Sequence, residues 1–512
     1  MQVVKIINNH LVYQTDDTEQ HQAIFPEMKV AVIEGKQYAA VPLTLENSQL
    51  LNNLGYQPPT PMRTAYTWPG RFTPYKHQVV TAEFLALNRR AFCNNGLGTG
   101  KTLSTLWAAD YLMNTGAIQK CLILSPLSTL ECVWAKEIFL NFPKRRSATL
   151  HGSRQKRLNL LNENVDFYII NHDGVGVIAE ELKKRPDINL IVIDELAVYR
   201  NAQTERFKTA KAMLTPDKWV WGLTGTPTPN APTDAYGQVK LVKPENYMGN
   251  FTKFKNTMMV QISPFKWIPR TGAEQMVNDI MRPRIRYALE DCVDLPPTIY
   301  HEREAQLSPD QLKHFTKLQR EAVTEIDGKE VTAVNAAVLV SKLLQTACGV
   351  AYAGEDRAKL DFGPRLAVLK ECINEAKAKV IVFVPFTGAL EALHTELVKD
   401  WSCAIVDGST SKGQRDKIFN AFQDFPNPKI ILANAQAMSH GVTLTAADTI
   451  IWYCPPFSNE IYEQANARIV RPGQKLHTNI VHIYGTSVER KVYGVLKERG
   501  KLQSLVLDLL KK

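Results

Sequence analysis

The stretch NNGLGTGKT, residues 94–102, follows an apolar run and opens a segment with the pattern of a helix. In this setting glycines allow backbone N–H groups to close on phosphate oxygens, Lys101 supplies a positive charge, and Thr102 offers its hydroxyl to Mg²⁺. Asn95 stands at the first glycine position of the full phosphate-loop pattern. A glycine-rich turn that binds nothing is the alternative interpretation.

The pattern of alternating segments around this loop predicts an α/β fold. Short β-branched runs alternate with amphipathic stretches from residue 90 onward, which is typical of parallel strands joined by helices. The first group of runs is KCLILSP, DFYIINHD, NLIVIDE and WVWGLTGTP. A second group follows a less regular middle: KVIVFVPF, CAIVDGS, KIILANA, TIIWYCPP and NIVHIYG. We therefore expect two α/β lobes.

The same patterns divide the chain into four segments. Residues 1–68 read as a small N-terminal α+β module, and a stretch rich in proline follows its last helix. Residues 69–232 form the first lobe, residues 233–360 a mostly helical insertion and linker, and residues 361–512 the second lobe.

Composition excludes several classes of protein. Of the 512 residues, 45% are hydrophobic and 22% are charged, which is unlike a disordered or fibrous chain. No apolar run reaches the length of a membrane span, and the start lacks the pattern of a secretory signal. Eight scattered cysteines show no zinc spacing. A net charge of +10 weakly favours a polyanionic partner.

Two acids and two arginines complete the candidate chemistry. Asp194 and Glu195 end the run NLIVIDE, where the carboxyl edge of a parallel sheet meets its ligand. Arg468 and Arg471 lie three positions apart in QANARIVRPGQ, residues 464–474, which we read as a short helical run stopped by Pro472 and Gly473. Two guanidinium groups on one face predict a bound anion. Solvated acids and surface ion pairs are the alternatives.

These segments occur in an order that resembles a known family. YKHQ, NGLGTGKT, LILSPLSTLECVWAKEI, DELAVYRN and LTGTPTPN are similar to successive motifs of the Swi/Snf-type DNA-dependent ATPases and translocases of helicase superfamily two. VDGSTSKGQRDKIFNAFQ, SHGVTLTAAD and QANARIVRPGQ resemble its later motifs, and RPRIRYALEDCVDLPP resembles a stretch that the family carries between its lobes. The resemblance covers most of residues 70–490.

The resemblance implies two RecA-like lobes that bind and hydrolyse ATP with Mg²⁺. Catalytic roles fall on Lys101, Asp194, Glu195, Arg468 and Arg471. The implied nucleotide-binding residues are Gln78, Gly96, Gly98, Thr99, Gly100, Lys101, Thr102 and Gln464. Thr102 and Asp194 are the implied Mg²⁺ ligands. Small hydroxyls at positions for DNA contact or coupling are Ser125, Thr129, Thr224, Thr226, Thr443 and Thr445, although any one of them is also typical of a turn or cap.

Three further positions depart from the family pattern. Ala197 replaces the histidine of the DEGH box, Thr443 replaces an asparagine of the fifth motif, and Ala467 replaces an aspartate of the sixth. The loss of the histidine puts the usual coupling route in doubt, whereas the residues for metal and water remain. We therefore still expect hydrolysis.

The resemblance implies a motor that moves along double-stranded or branched DNA with little sequence preference. We expect a compact, monomeric, cytoplasmic protein of a prokaryote or virus, without a membrane partner, that remodels forks or Holliday junctions or displaces bound proteins. A strand-separating DNA or RNA helicase is the first alternative, and an inactive nucleic-acid scaffold and a phosphate-loop kinase are others. The stretch at residues 143–157 has six Lys or Arg and no acid, which fits a duplex-tracking patch or a solvated loop equally well.

Overall fold

In the computed structural model the chain divides into a first unit, residues 1–292, and a second unit, residues 293–512. The structure describes residues 4–263, 266–292, 295–326, 333–353, 356–438 and 442–497. Part of the predicted fifth motif, residues 439–441, lies outside these ranges. Within them, no helix has the length and hydropathy needed to cross a bilayer.

A small antiparallel sheet begins the first unit. Its elements are β1 Lys5–Ile7, β2 His10–Gln14, α1 Thr18–Ile24, β3 Lys29–Ile33 and β4 Lys36–Pro42. The order is β1-β2-β4-β3, so β3 is an edge strand. Alternation along β2 and β4 buries Leu11, Tyr13, Ala39 and Val41 on one face. Helices α2 Leu45–Asn53 and α3 Met62–Ala65 follow. The segment thus holds both strands and helices, and that it is a separate module stays a prediction.

A seven-stranded parallel sheet forms the centre of the first unit. Its strands are β5 Arg90–Cys93, β6 Lys120–Ser125, β7 Ser147–Thr149, β8 Phe167–Asn171, β9 Ile188–Ile193, β10 Trp219–Leu223 and β13 Arg284–Ile285. Their order is β13-β5-β10-β9-β6-β8-β7, and every neighbouring pair is parallel. The predicted runs KCLILSP, DFYIINHD, NLIVIDE and WVWGLTGTP are confirmed as β6, β8, β9 and β10.

Helices cover both faces of this sheet, which explains its continuous apolar strands. Alternate residues of one strand enter two separate cores: Ile170 packs in one and Ile169 in the other. The helices are α4 Lys76–Leu87, α5 Lys101–Asn114, α6 Lys136–Asn141, α7 Arg154–Leu161, α8 Ala179–Lys183, α9 Glu205–Met213, α10 Ala235–Val242, α11 Phe251–Met258 and α12 Ala273–Ile280. A separate antiparallel pair, β11 Met259–Ser263 and β12 Lys266–Pro269, follows α11.

The second unit holds a six-stranded parallel sheet. Its strands are β14 Thr298–Glu304, β17 Lys379–Phe383, β18 Cys403–Val406, β19 Ile430–Ala433, β20 Ala447–Trp452 and β21 Thr478–Tyr484, in the order β14-β21-β20-β17-β19-β18. Strands β15 Val350–Ala353 and β16 Asp356–Lys359 form a separate antiparallel pair. The helices are α13 Pro309–Ile326, α14 Ala333–Ala347, α15 Gly363–Glu375, α16 Thr387–Leu397, α17 Lys412–Asp424, α18 Asn459–Asn466 and α19 Ser487–Lys497.

A buried ion pair fixes helices of the second unit to its sheet. Arg365 at the start of α15 lies 2.6 Å from Glu489 in α19, and both side chains are fully buried. Arg365 also donates to the carbonyls of Tyr453, just after β20, and of Ile483, near the end of β21. A buried charge needs such partners to be tolerated.

The two parallel sheets confirm the predicted α/β class. The insertion predicted at residues 233–360 contributes a strand to each sheet, β13 to the first and β14 to the second. The division of the chain into four segments stays a prediction.

Candidate active site

Three loops meet at the carboxyl edge of the first sheet. Strands β5, β10 and β9 are neighbours, and they lead into the phosphate loop at residues 94–100, the Thr224–Thr226 turn, and the pair Asp194 and Glu195. A Cβ added at Gly225 would lie 3.5 Å from the Leu97 side chain, so the turn packs against the loop. The edge therefore gathers the first-unit residues Lys101, Asp194 and Glu195, for which catalytic roles are predicted from the sequence.

The loop has the conformation that phosphate binding requires. Gly98 and Gly100 have φ of 77° and 81°, in the left-handed region that favours glycine. A Cβ at Gly100 would overlap the Gln78 side chain. Gly100 is the N-cap of α5, so the N–H groups of the first helical turn have no acceptor within the helix. Such a helix start attracts anions.

Lys101 and Gln78 both lie against the loop. The Lys101 ammonium donates to the carbonyls of Asn95 at 2.8 Å and Gly96 at 3.0 Å. The Gln78 side chain accepts from the N–H of Tyr75 and donates to the Thr99 carbonyl. Thr102 is partly exposed in the first turn of α5. The predicted roles of these residues toward a nucleotide stay predictions.

Asn95, which stands at the first glycine position of the phosphate-loop pattern, makes side-chain contacts that glycine could not make. Its buried amide donates to Thr81 of α4 and accepts from the N–H of Tyr287, both at 2.9 Å. The N–H of Gly96 donates to the Tyr287 carbonyl at 2.8 Å. The phosphate loop is therefore fastened on one side to α4 and on the other to the segment that follows β13. No local pattern around Asn95 or Tyr287 predicts this contact.

Three donors hold the Asp194 carboxylate. Ser125 and Trp134 each donate to its Oδ2 at 2.9 Å, and the N–H of Glu195 donates to its Oδ1 at 3.1 Å. Thr129 lies 2.6 Å from the Ser125 hydroxyl. Ser125 and Thr129 are buried, so of their two predicted roles this geometry supports coupling rather than DNA contact. Trp134 was not predicted from the sequence, because no local pattern identifies a tryptophan as the hydrogen-bond donor to a distant acid.

The backbone turns sharply after Asp194. Glu195 has a φ of 51°, which is uncommon for a residue with a Cβ and costs about 1–3 kcal/mol. Strain of this kind concentrates at active sites, where the surrounding structure holds it. Ala197, at the position of the family's histidine, is buried and offers no polar side chain. Thr224 is also buried, and its hydroxyl accepts from the N–H of Thr226.

In the second unit, the two arginines meet at one carbonyl. Arg468 and Arg471 both donate to the Val442 carbonyl, at 3.3 Å and 2.8 Å. The prediction that they share a helical run is wrong, because α18 ends at Asn466 and both follow in turns. Arg468 is buried and also donates to the Gln464 carbonyl at 2.8 Å. The shared acceptor, rather than helical spacing, brings the two guanidinium groups together.

The charge of Arg471 is not paired with a carboxylate among the described residues. Within the described ranges, no Asp or Glu forms an ion pair with this arginine. Burial lowers the pKa of Arg471 to about 10, so the guanidinium is still protonated at neutral pH. A partly buried cation without an acid is a favourable site for an anion.

The threonines of the fifth motif support these turns. The Thr443 hydroxyl accepts from Arg471 at 2.8 Å, and the Thr445 hydroxyl accepts from Gln423 at 3.2 Å. Thr443 is exposed, whereas Thr445 is partly buried. Thr443 thus supplies a polar contact at the position where the family has asparagine.

Several cations of the basic stretch at residues 143–157 form contacts within the protein. Arg145 pairs with Asp110 at 2.6 Å and Asp166 at 3.1 Å. Arg154 pairs with Glu181, and Arg157 is buried against backbone carbonyls. The remaining cations, Lys144, Arg146 and Lys156, are exposed. Half of the predicted patch is therefore structural.

The fold and the first-unit edge are those of a phosphate-loop protein with two parallel sheets. Residues 88–349, more than half of the 512, match the SNF2-related domain, and residues 364–473 match the helicase conserved C-terminal domain. The chain belongs to the SNF2-related family. This confirms the predicted recognition, the RecA-like character of the two lobes and the enzyme class, a nucleic-acid-dependent ATPase.

Individual relatives are distant. Putative protein p41 of Acyrthosiphon pisum secondary endosymbiont phage 1 is 24% identical over 86% of this chain and 98% of its own length. The putative ATP-dependent helicase/translocase YwqA of Bacillus subtilis is 23% identical over 80% of this chain, which spans only 46% of that relative. The Sulfolobus solfataricus SWI2/SNF2 ATPase core in complex with dsDNA aligns over 86% of this chain and 94% of its own, with 22% identity and a TM-score of 0.41.

Restoring the family's glycine at position 95 tests the role of the asparagine. Asn95→Gly removes two buried hydrogen bonds, each worth about 0.5–1.5 kcal/mol. We expect the Kd for ATP to rise about tenfold, measured by titration with a fluorescent ATP analogue. Asn162→Gly, an exposed change at the end of α7, should leave it unaltered. Equal affinity in both variants would mean that the loop does not depend on Asn95.

Removal of the Ser125 hydroxyl distinguishes coupling from DNA contact. A hydrogen bond to a charged group contributes about 1.5–3 kcal/mol, so Ser125→Ala should lower kcat at saturating DNA about tenfold or more. The Kd for duplex DNA, measured by fluorescence anisotropy without nucleotide, should not change. A weaker Kd with an unaltered kcat would instead make Ser125 a DNA contact.

The Thr443 hydroxyl is expected to position Arg471. Thr443→Val keeps the shape but removes the acceptor, and we expect kcat to fall about tenfold with little change in KM for ATP. Thr443→Ser should restore kcat because it returns the hydroxyl. Failure of the serine variant to recover activity would contradict this role.

Proposed function

We propose that the protein is an ATP-driven translocase on double-stranded DNA. It acts on branched structures, by migrating forks or Holliday junctions, or it displaces bound proteins during replication, recombination or repair. The site of action is the cytoplasm of a prokaryotic or virus-infected cell, and the active form is a monomer. One observation carries the proposal: a single chain combines a phosphate-loop edge with an arginine, Arg471, that forms no ion pair with a carboxylate in the described part of the chain.

We assign each predicted site residue a separate role toward ATP. The loop N–H groups and Lys101 bind the outer phosphates, while Glu195 orients the attacking water. Gln78 and Gln464 complete nucleotide recognition. Arg471, with Arg468 behind it, stabilises the charge that develops on the γ-phosphate as the bond to the leaving oxygen lengthens.

The donor set fits Mg²⁺. Asp194 accepts three hydrogen bonds, and a carboxylate has about four lone-pair positions, so one remains for a ligand. Thr102 and Asp194 would hold the ion, directly or through water, as oxygen ligands of the kind it prefers. When bound, Mg²⁺ neutralises charge on the phosphate oxygens.

Family membership and the net charge support DNA as the molecule along which the protein moves. The net charge of +10 favours a polyanion, and the Bacillus subtilis relative is named a helicase/translocase. Among the predicted hydroxyl contacts, Thr226 and Thr443 are accessible, and we propose that they lie near the phosphate backbone. Such contacts give affinity without base specificity.

The test is the rate of ATP hydrolysis at fixed salt with no nucleic acid, single-stranded DNA, linear duplex, a four-way junction or RNA. We expect duplex or junction DNA to stimulate the wild-type protein strongly. Lys101→Ala and Glu195→Gln should lose about 10² to 10³-fold or more in turnover, since each removes a group that acts on the phosphates or the water.

Stimulation by RNA alone would contradict the DNA proposal and favour the RNA helicase alternative. Separation of a short duplex during ATP turnover would instead identify a strand-separating DNA helicase. Activity that persists in both variants would point to a contaminating ATPase.

A further inference from the structure

A short antiparallel ribbon leaves the first unit next to α11. We name residues 251–263 together with residues 267–270 the basic hairpin. They comprise α11, β11 and the part of β12 whose side chains are described. The ribbon belongs to neither large sheet. Two-stranded ribbons are marginally stable alone, so this one depends on its base.

The base of the basic hairpin is firmly held. Phe254, Met258 and Met259 are buried in one of the two cores of the first unit. Arg270 donates from its Nε to the carbonyls of Asn256 at 3.0 Å and Met259 at 3.1 Å. The hairpin is therefore a fixed projection rather than a loose loop.

Its outer part exposes aliphatic side chains. Val260 is paired with Ile268, and Ile262 lies in a bulge between Gln261 and Ser263. Ile262 is 53% exposed and Ile268 is 39% exposed. Bulges re-aim side chains and recur next to functional sites. Grouped aliphatic residues on a surface mark an interaction site more often than single ones do.

The stretch that carries these aliphatic residues is rich in cations. No Asp or Glu occurs from residue 246 to residue 273, whereas Lys253, Lys255, Lys266 and Arg270 fall within that stretch. Lys253 is exposed on α11. The Lys255 ammonium lies 3.7 Å from the centroid of the Trp267 ring, on the ribbon. The stretch thus combines exposed aliphatic residues with cations and has no acid of its own.

The exposed aliphatic residues and the cations of the basic hairpin favour nucleic acid over protein as the molecule that binds there. Lysine is depleted in protein interfaces, and a stretch whose only charged side chains are basic would suit only a strongly acidic protein partner. Proteins that bend or open DNA combine Lys or Arg on phosphates with aliphatic wedges against base steps. The interior of an intact duplex presents no open face of a base pair, whereas a branch point does.

We propose that the basic hairpin contacts DNA at a branch point, with Ile262 and Ile268 against the exposed base pair and Lys253 on an adjacent phosphate. This inference rests on the proposed function and adds to it a surface that recognises junctions. It predicts that the basic hairpin is needed for branched DNA to stimulate ATP hydrolysis, but not for continuous duplex to do so.

The test compares two substrates and two matched pairs of variants. ATPase stimulation is measured with covalently closed circular duplex and with a four-way junction whose arms end in hairpin loops. Ile262→Ser combined with Ile268→Ser removes the aliphatic wedge. Val32→Ser combined with Ile33→Ser is the control, because these β3 residues are 66% and 57% exposed in the same unit.

We expect the wedge variant to require about tenfold more junction for half-maximal stimulation, as an apolar contact worth about 1–3 kcal/mol would predict. Its kcat on circular duplex should equal that of the wild type, which also shows that it is folded. The β3 variant should match the wild type on both substrates.

A second measurement tests the phosphate contact. Lys253→Ala should reduce the slope of log Kd against log salt for the junction by about 0.9, the value for one phosphate contact. Lys36→Ala, an exposed change in β4, should leave the slope unchanged.

Equal junction response in the wedge variant and the wild type would overturn the proposal, as would an equal loss on both substrates. Absence of any DNA stimulation in the wild-type protein would instead refute the proposed function itself. The two failures are therefore distinguishable.

Discussion

Parallel pairing of β5, β10 and β9 is the constraint on which the site depends. Because these strands run in one direction and lie side by side, the loops that follow them end at one edge. That edge collects Lys101, Asp194 and the Thr224–Thr226 turn from positions spread over more than a hundred residues. Apolar side chains fill both faces of the sheet, so the edge is rigid where phosphate chemistry needs fixed charges.

Polar contacts beneath this edge set the orientation of the reactive groups. Ser125 and Trp134 hold Asp194 from one side, and Asn95 holds the phosphate loop from the other. In the second unit, Thr443 and the Val442 carbonyl do the same for Arg471. Two of the departures from the family pattern, Asn95 and Thr443, thus carry new hydrogen bonds. Ala197 and Ala467 carry no side-chain polar group and therefore add no such hydrogen bond.

Much of the first sheet was predictable, since buried parallel strands appear as apolar runs and the phosphate loop has a local pattern. The contacts that tune the site were not predictable. Asn95 meets Tyr287 across 192 positions, and Asp194 meets Trp134 across 60. Neither partner is marked by periodicity or spacing. The helical run assigned to Arg468 and Arg471 failed for a related reason: spacing suggests a helix, but the chain turns after Asn466, where the buried Arg468 side chain fixes it to Val442.

Lys101 is expected to act in both the binding and the hydrolysis of ATP, whereas Arg471 is expected to act in hydrolysis alone. ATP affinity and ATP turnover at saturating duplex DNA, measured for Lys101→Ala and Arg471→Ala, test this difference. We expect Lys101→Ala to lose both, whereas Arg471→Ala should bind ATP like the wild type while its turnover falls by about 10³-fold or more. Wild-type turnover in Arg471→Ala, or a loss of ATP affinity as large as that of Lys101→Ala, would contradict these roles.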